Sequence, residues 1–98
     1  LKLIPLKSIR YFEADQKYVT VRHANGEDLL DEPLKQLEEE FARDFVRAHR
    51  SLLVAIAHVE ALERVADDNY VLRLRGEPEP LPVSRRQVAE LRRRLQSA

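Results

Sequence analysis

The sequence has no cysteine, no methionine and no tryptophan. Without cysteine there is no disulfide framework, no thiolate metal site and no thiol nucleophile. Glycine occurs only twice, too seldom for a glycine-rich loop that cradles phosphates. No apolar run approaches the ~20 residues of a membrane span. Residues 1–4 are too short for the apolar segment of a signal peptide. His23, His49 and His58 are not at metal-ligand spacing. Ser51 lies close behind His49, yet a catalytic triad is assembled from separated segments. These absences argue against an enzyme and against any metal or cofactor. The missing initiating methionine fits a piece excised from a longer chain, and the expected location is cytoplasmic.

What is present is a chain of 98 residues, 44% hydrophobic and 35% charged. That is the size of one domain with one modest core. The net charge is zero, but it is unevenly spread. Residues 1–26 carry +3, residues 27–44 carry −6, residues 45–80 carry −1 and residues 81–98 carry +4. Such polarity allows a basic face to meet a polyanion while the acidic side faces away.

Residues 3–6 and 9–14 are short apolar runs, read as strands, with Pro5 confining the first to an edge. Residues 18–23 alternate and are rich in β-branched side chains. Asn25-Gly26 and residues 27–30 follow, the signature of a hairpin whose turn tolerates positive φ. Asp31 is placed to cap a helix, and Pro33 suits its first turn. Leu34, Leu37 and Phe41 make one apolar stripe on that helix, with Glu38, Glu39 and Glu40 between them. Residues 45–47 read as a strand. Residues 52–65 favour helix by propensity but follow neither period. Residues 67–69 are a turn, 70–74 an alternating strand, 76–80 a loop and 81–83 a short strand. Ser84 and Gln87 form a capping box for a last helix with Val88, Leu91 and Leu95 inward. Arg92, Arg93 and Arg94 are expected on its exposed side.

Three clusters stand out as candidates for binding. Arg85 and Arg86 fall in the first turn of the last helix, where cations oppose the helix dipole. An anion at that helix end would account for them, as would a guanine edge read by a guanidinium. Arg47, His49, Arg50 and Ser51 are packed into five residues after a strand. In an extended segment Arg47, His49 and Ser51 would share one face. Lys17 and Tyr18 sit in a polar loop suited to phosphate or base contact.

Residues 11–21 (YFEADQKYVTV), 45–51 (FVRAHRS) and 82–86 (PVSRR), in this order, resemble the blocks of LytTR-type DNA-binding domains. Residues 3–6, 22–26 and 29–35 look closest to the alginate-regulator branch of response regulators. Many members carry asparagine shortly after the second block, where this chain has Ala55. The resemblance implies a mainly β fold: an elongated assembly of small antiparallel β-sheets with one acidic helix and a C-terminal helix. It settles residues 52–65 as strand. It also implies one domain over 1–98, a receiver domain upstream, and loop-borne contacts to double-stranded DNA rather than to a membrane. On that reading Arg50 and Arg86 read bases, while Lys17, Arg47 and Arg85 hold the backbone beside Tyr18, His49 and Ser51. Repeated half-sites and a dimer on DNA fit the same picture. Two other readings are a protein-docking module that uses the acidic helix 34–41, and RNA binding, for which the chain has few aromatics to stack on bases.

Overall fold

A computed structural model describes residues 3–97. Strand β1 (Ile9–Ala14) pairs with β2 (Val19–His23), and β2 with β3 (Gly26–Leu30), all antiparallel. Strands β4 (Phe45–His49) and β5 (Leu52–Ala55) form a second hairpin, which joins the first through β1 and β5. The five-stranded sheet therefore runs β3-β2-β1-β5-β4. Strands β6 (Val59–Arg64), β7 (Tyr70–Leu74) and β8 (Leu81–Val83) make a separate three-stranded sheet. Helix α1 (Leu34–Glu40) lies between the hairpins in sequence, and α2 (Val88–Gln96) closes the chain. The molecule is elongated, 44 × 25 × 25 Å.

The five-stranded sheet is buried on both faces, so the protein has two cores. On one face Ile9, Phe12, Val19, Val21, Phe45, Leu53 and Ala55 meet Leu34 and Leu37 of α1. Phe12, Phe41 and Phe45 cluster there with ring centroids 5.1–6.1 Å apart, Phe12 and Phe41 stacked and Phe45 tilted against both. On the other face Tyr11, Val46, Ala48, Leu52 and Val54 meet Leu72 and Leu74 of β7 and Leu91 of α2. Full burial of Leu91 contributes roughly 2 kcal/mol and anchors a helix too short to stand alone. All four residues of β5 are buried. A strand covered on both faces loses polar alternation, and a 3-10 turn at Ile56–His58 breaks the stretch expected as continuous strand before β6, so residues 52–65 follow neither period.

Two bulges set which side chains face where. The β1–β2 register passes from Ile9↔His23 to Tyr11↔Arg22, so Arg10 is the extra residue. The bulge reverses alternation and puts Ile9 and Phe12 in the same core. In β4 the register passes from Arg47↔Leu53 to His49↔Leu52, so Ala48 is extra.

Several local expectations are corrected. Residues 3–5 form no strand, and Leu6–Ser8 is a 3-10 turn whose Ser8 amide and hydroxyl both donate to the Pro5 carbonyl. The first hairpin is present, but its two turn residues are Ala24 and Asn25. Gly26 opens β3 with φ 129°, and Asn25 does not take positive φ. Asp31 does not cap α1; the N-cap is Pro33 in extended conformation, with no side-chain bond. The Ser84–Gln87 box is also absent: Arg85–Gln87 is a 3-10 turn, closed by the Gln87 amide on the Ser84 carbonyl, and α2 starts at Val88. A 3-10 turn has poorer bond geometry than a helical turn, so the dipole argument for Arg85 and Arg86 weakens. Arg94 is not displayed on the surface. Its guanidinium donates to the carbonyls of Ala42 and Arg43 (2.8 and 3.1 Å) and ties α2 to the turn after α1.

Candidate nucleic-acid interface

Strand pairing collects the candidate loops at one end of the five-stranded sheet. Strand β1 ends beside the start of β5, with Glu13 opposite Leu52. The Ala14 amide donates to the Ser51 carbonyl at 2.8 Å, so the 15–18 loop lies against the Arg50-Ser51 turn. Strand β8 arrives at the same end, where the Ser84 amide donates to the Ala48 carbonyl at 2.9 Å. The bulge at Ala48 bends β4 at this contact.

The 15–18 loop is shaped by Asp15. Its Oδ1 accepts from the amides of Lys17 and Tyr18, both at 3.0 Å. The Tyr18 and Lys17 amides together hold its carboxyl below the usual carboxylate range. The loop is thereby closed from within, and Lys17 and Tyr18 remain exposed.

The β4–β5 turn is braced from two sides. His49 Nδ1 accepts from the Ser51 amide at 3.3 Å and lies 3.1 Å from Ser51 Oγ. The neutral ring then carries its proton on Nε2. Arg47 reaches the same turn from the α1 face, donating from Nη1 to the Arg50 carbonyl at 2.5 Å and from Nη2 to Glu38 at 2.8 Å. Its Nε is buried without a partner among the described residues. The bulge therefore separates Arg47 from His49, which do not share a face as plain alternation would require.

Arg47, His49, Arg50 and Arg86 line one open pocket of about 380 Å³, together with Glu38, Ser84 and Gln87. Arg50 and Arg86 are exposed and make no ion pair among the described residues. Arg85 turns the other way, donating at 3.4 Å to the Asp67 carbonyl in the β6–β7 turn. Of the predicted residues, the structure thus joins Arg47, His49, Arg50 and Arg86 in one pocket, sets Ser51, Lys17 and Tyr18 beside it, and places Arg85 at its margin.

Sequence reasoning missed Glu38. The acidic stretch does not face away from the basic one, because α1 delivers this carboxylate to the pocket. The docking-helix reading loses Glu38 as a free acid, while Glu39 and Glu40 remain exposed. Among the described residues there is no cluster of acids and histidines that could hold a metal, and no helix long and apolar enough to cross a membrane.

Cationic side chains carried on loops around one open pocket at the end of a β fold suit a polyanion, the pattern of a nucleic-acid-binding domain. Residues 1–96 match the family model of the LytTr DNA-binding domain. The chain is 53% identical over 94 residues to the positive alginate biosynthesis regulatory protein of Pseudomonas aeruginosa, covering 95% of this chain and 38% of that protein. It is 33% identical over 92 residues to the CO-responsive transcriptional regulator RcoM of Rhodospirillum rubrum, covering 93% and 39%. A solved LytTr DNA-binding domain from Bacillus cereus superposes with a TM-score of 0.84 at 26% identity, covering 94% of this chain and 84% of that one. The chain belongs to the LytTR family of DNA-binding domains. It spans less than two-fifths of the length of the two full-length regulators.

Proposed function

We propose that this chain binds double-stranded DNA sequence-specifically, as the cytoplasmic output domain of a longer bacterial response regulator that controls transcription. One observation carries the reading: Arg50 and Arg86, from segments far apart in sequence, converge on a single pocket beside the Lys17 loop with no ion pair among the described residues. Two forked guanidinium groups on braced backbone suit the bidentate recognition of guanine edges in the major groove. Arg50 and Arg86 are therefore assigned to bases, and Lys17 and Arg85 to phosphates. His49 and Tyr18 supply a ring N–H and a phenol at the rim, and Ser51 braces the His49 ring. A receiver domain upstream, and two copies on repeated half-sites, complete the proposal.

The test is a fluorescence-anisotropy titration of the chain against duplexes enriched from a random pool, beside a scrambled duplex, at two salt concentrations. One enriched motif, bound more weakly at higher salt, is the expected result. No enrichment and no binding at low salt would remove the reading.

A further inference from the structure

The pocket that holds three arginines also holds a carboxylate, and phosphate should repel it. Glu38 is nevertheless tied to one of these arginines: its Oε1 takes Arg47 Nη2 at 2.8 Å, while Nη1 of the same guanidinium donates to the Arg50 carbonyl at 2.5 Å. The fork spans helix α1 and the β4–β5 turn. The side chain of Arg47 is only 18% exposed, with its Nε turned inward. A guanidinium whose two Nη atoms are bonded within the protein and whose Nε is buried has little left to offer a phosphate. From this geometry we infer that Glu38 and Arg47 are a positioning pair: they set the backbone of the Arg50-Ser51 turn, and through it the approach of the Arg50 side chain to its base. The inference rests on the reading of Arg50 as a base reader. It moves Arg47 from backbone contact to support, and it gives the acidic helix a part in sequence discrimination.

A carboxylate near DNA otherwise only weakens binding, so its removal separates the two roles. The chain and its variants are titrated against the enriched duplex and against duplexes changed at each base pair, at several salt concentrations. Glu38→Ala should lower discrimination about fivefold, and only at the base pair that Arg50→Ala relaxes. In the Arg50→Ala background, Glu38→Ala should change discrimination no further. Arg47→Lys keeps the charge but cannot span both partners; it should reproduce the loss with an unchanged salt slope. Thermal melts confirm that each variant is folded, and Arg47→Lys carries the test if Glu38→Ala is not. Glu38→Ala binding every duplex more tightly with discrimination intact would overturn the inference. So would a salt slope lowered by about one in Arg47→Lys, the mark of a lost phosphate contact. Arg50→Ala losing discrimination where the Glu38 and Arg47 variants do not overturns the inference alone. Arg50→Ala behaving as wild type overturns the base-reading role, and the inference with it.

Discussion

At one end of the five-stranded sheet Arg10 and Arg22 converge on Glu77; at the other Arg50 and Arg86 converge on an open pocket. The first pair donates to one Glu77 oxygen at 2.7 and 3.1 Å, and that carboxylate is only 8% exposed. Gly76, just before it, takes φ 82° and lies against the Arg10 guanidinium. The clamp closes the β7–β8 loop onto β1 and β2, fastening the small sheet to the large one. At the far end no carboxylate meets Arg50 or Arg86 among the described residues, and the acid that lines their pocket, Glu38, is taken by Arg47. The same side chain is thus structural or displayed according to whether an acid reaches it. A net charge of zero conceals this, because neutralisation is local: Glu77 meets Arg10 and Arg22, while Arg50 and Arg86 have no ion pair among the described residues.

The largest expected effect breaks the displayed end. Arg50→Ala and Arg86→Ala should each cost about 1–3 kcal/mol of specific binding, at one base position each. Their melting temperatures should stay near wild type, since exposed substitutions usually change stability by less than about 0.5 kcal/mol. Loss of melting temperature without loss of discrimination would reverse the comparison.

Breaking the clamped end should do the opposite. Glu77→Ala leaves two guanidinium groups facing each other without their acid. Both retain contact with water, so the expected loss is about 1–2 kcal/mol of stability, measured by urea denaturation, with base discrimination unchanged. Burial pushes the Glu77 carboxyl up, but the bonds from Arg10 and Arg22 outweigh it and hold the carboxyl below its ordinary 4.5. A carboxyl depressed on folding stabilises the protein above its unfolded pKa. That stabilisation fades as pH falls below about 4.5 and through the folded value. Denaturation between pH 6 and pH 3 should therefore be less steep in pH for Glu77→Gln than for wild type. Gly76→Ala probes the same clamp more gently. A Cβ at Gly76 would lie 2.7 Å from the Arg10 guanidinium, on a backbone of positive φ. A loss of about 1 kcal/mol, read by the same denaturation, is expected.

The two ends were unequally legible in the sequence. Strands β2 and β7 announce themselves by a period of two, and the 18–30 hairpin by its turn residues. Strand β5 is hidden because both of its faces are buried, and family resemblance placed it where periodicity could not. Caps failed at both helices, since Asp31 and Ser84 have capping chemistry but α1 starts from Pro33 and α2 from a 3-10 turn. Strand pairing, which no local pattern encodes, gathers the binding loops; the three basic clusters were visible, but their convergence was not. Glu38 and Glu77 were the hardest to see. Each is an acid among acids or in a proline-rich loop, and its partners come from other elements, Arg47 in one case and Arg10 with Arg22 in the other.

The smallest expected effect separates display from reading within the basic end itself. Lys17 sits on a loop that Asp15 closes from within, so its backbone amide is already satisfied while its side chain stays exposed. An ammonium on a flexible stem is a point charge, suited to phosphate rather than to a base edge. Lys17→Ala should weaken binding to every duplex by the same factor and reduce the salt slope by about one, leaving discrimination and melting temperature alone. The measurement is the dependence of log Kd on log salt for the selected and the scrambled duplex in parallel. Equal changes on both would place Lys17 with the charges that hold DNA without reading it. A change confined to the selected duplex would move it to the reading side, beside Arg50 and Arg86.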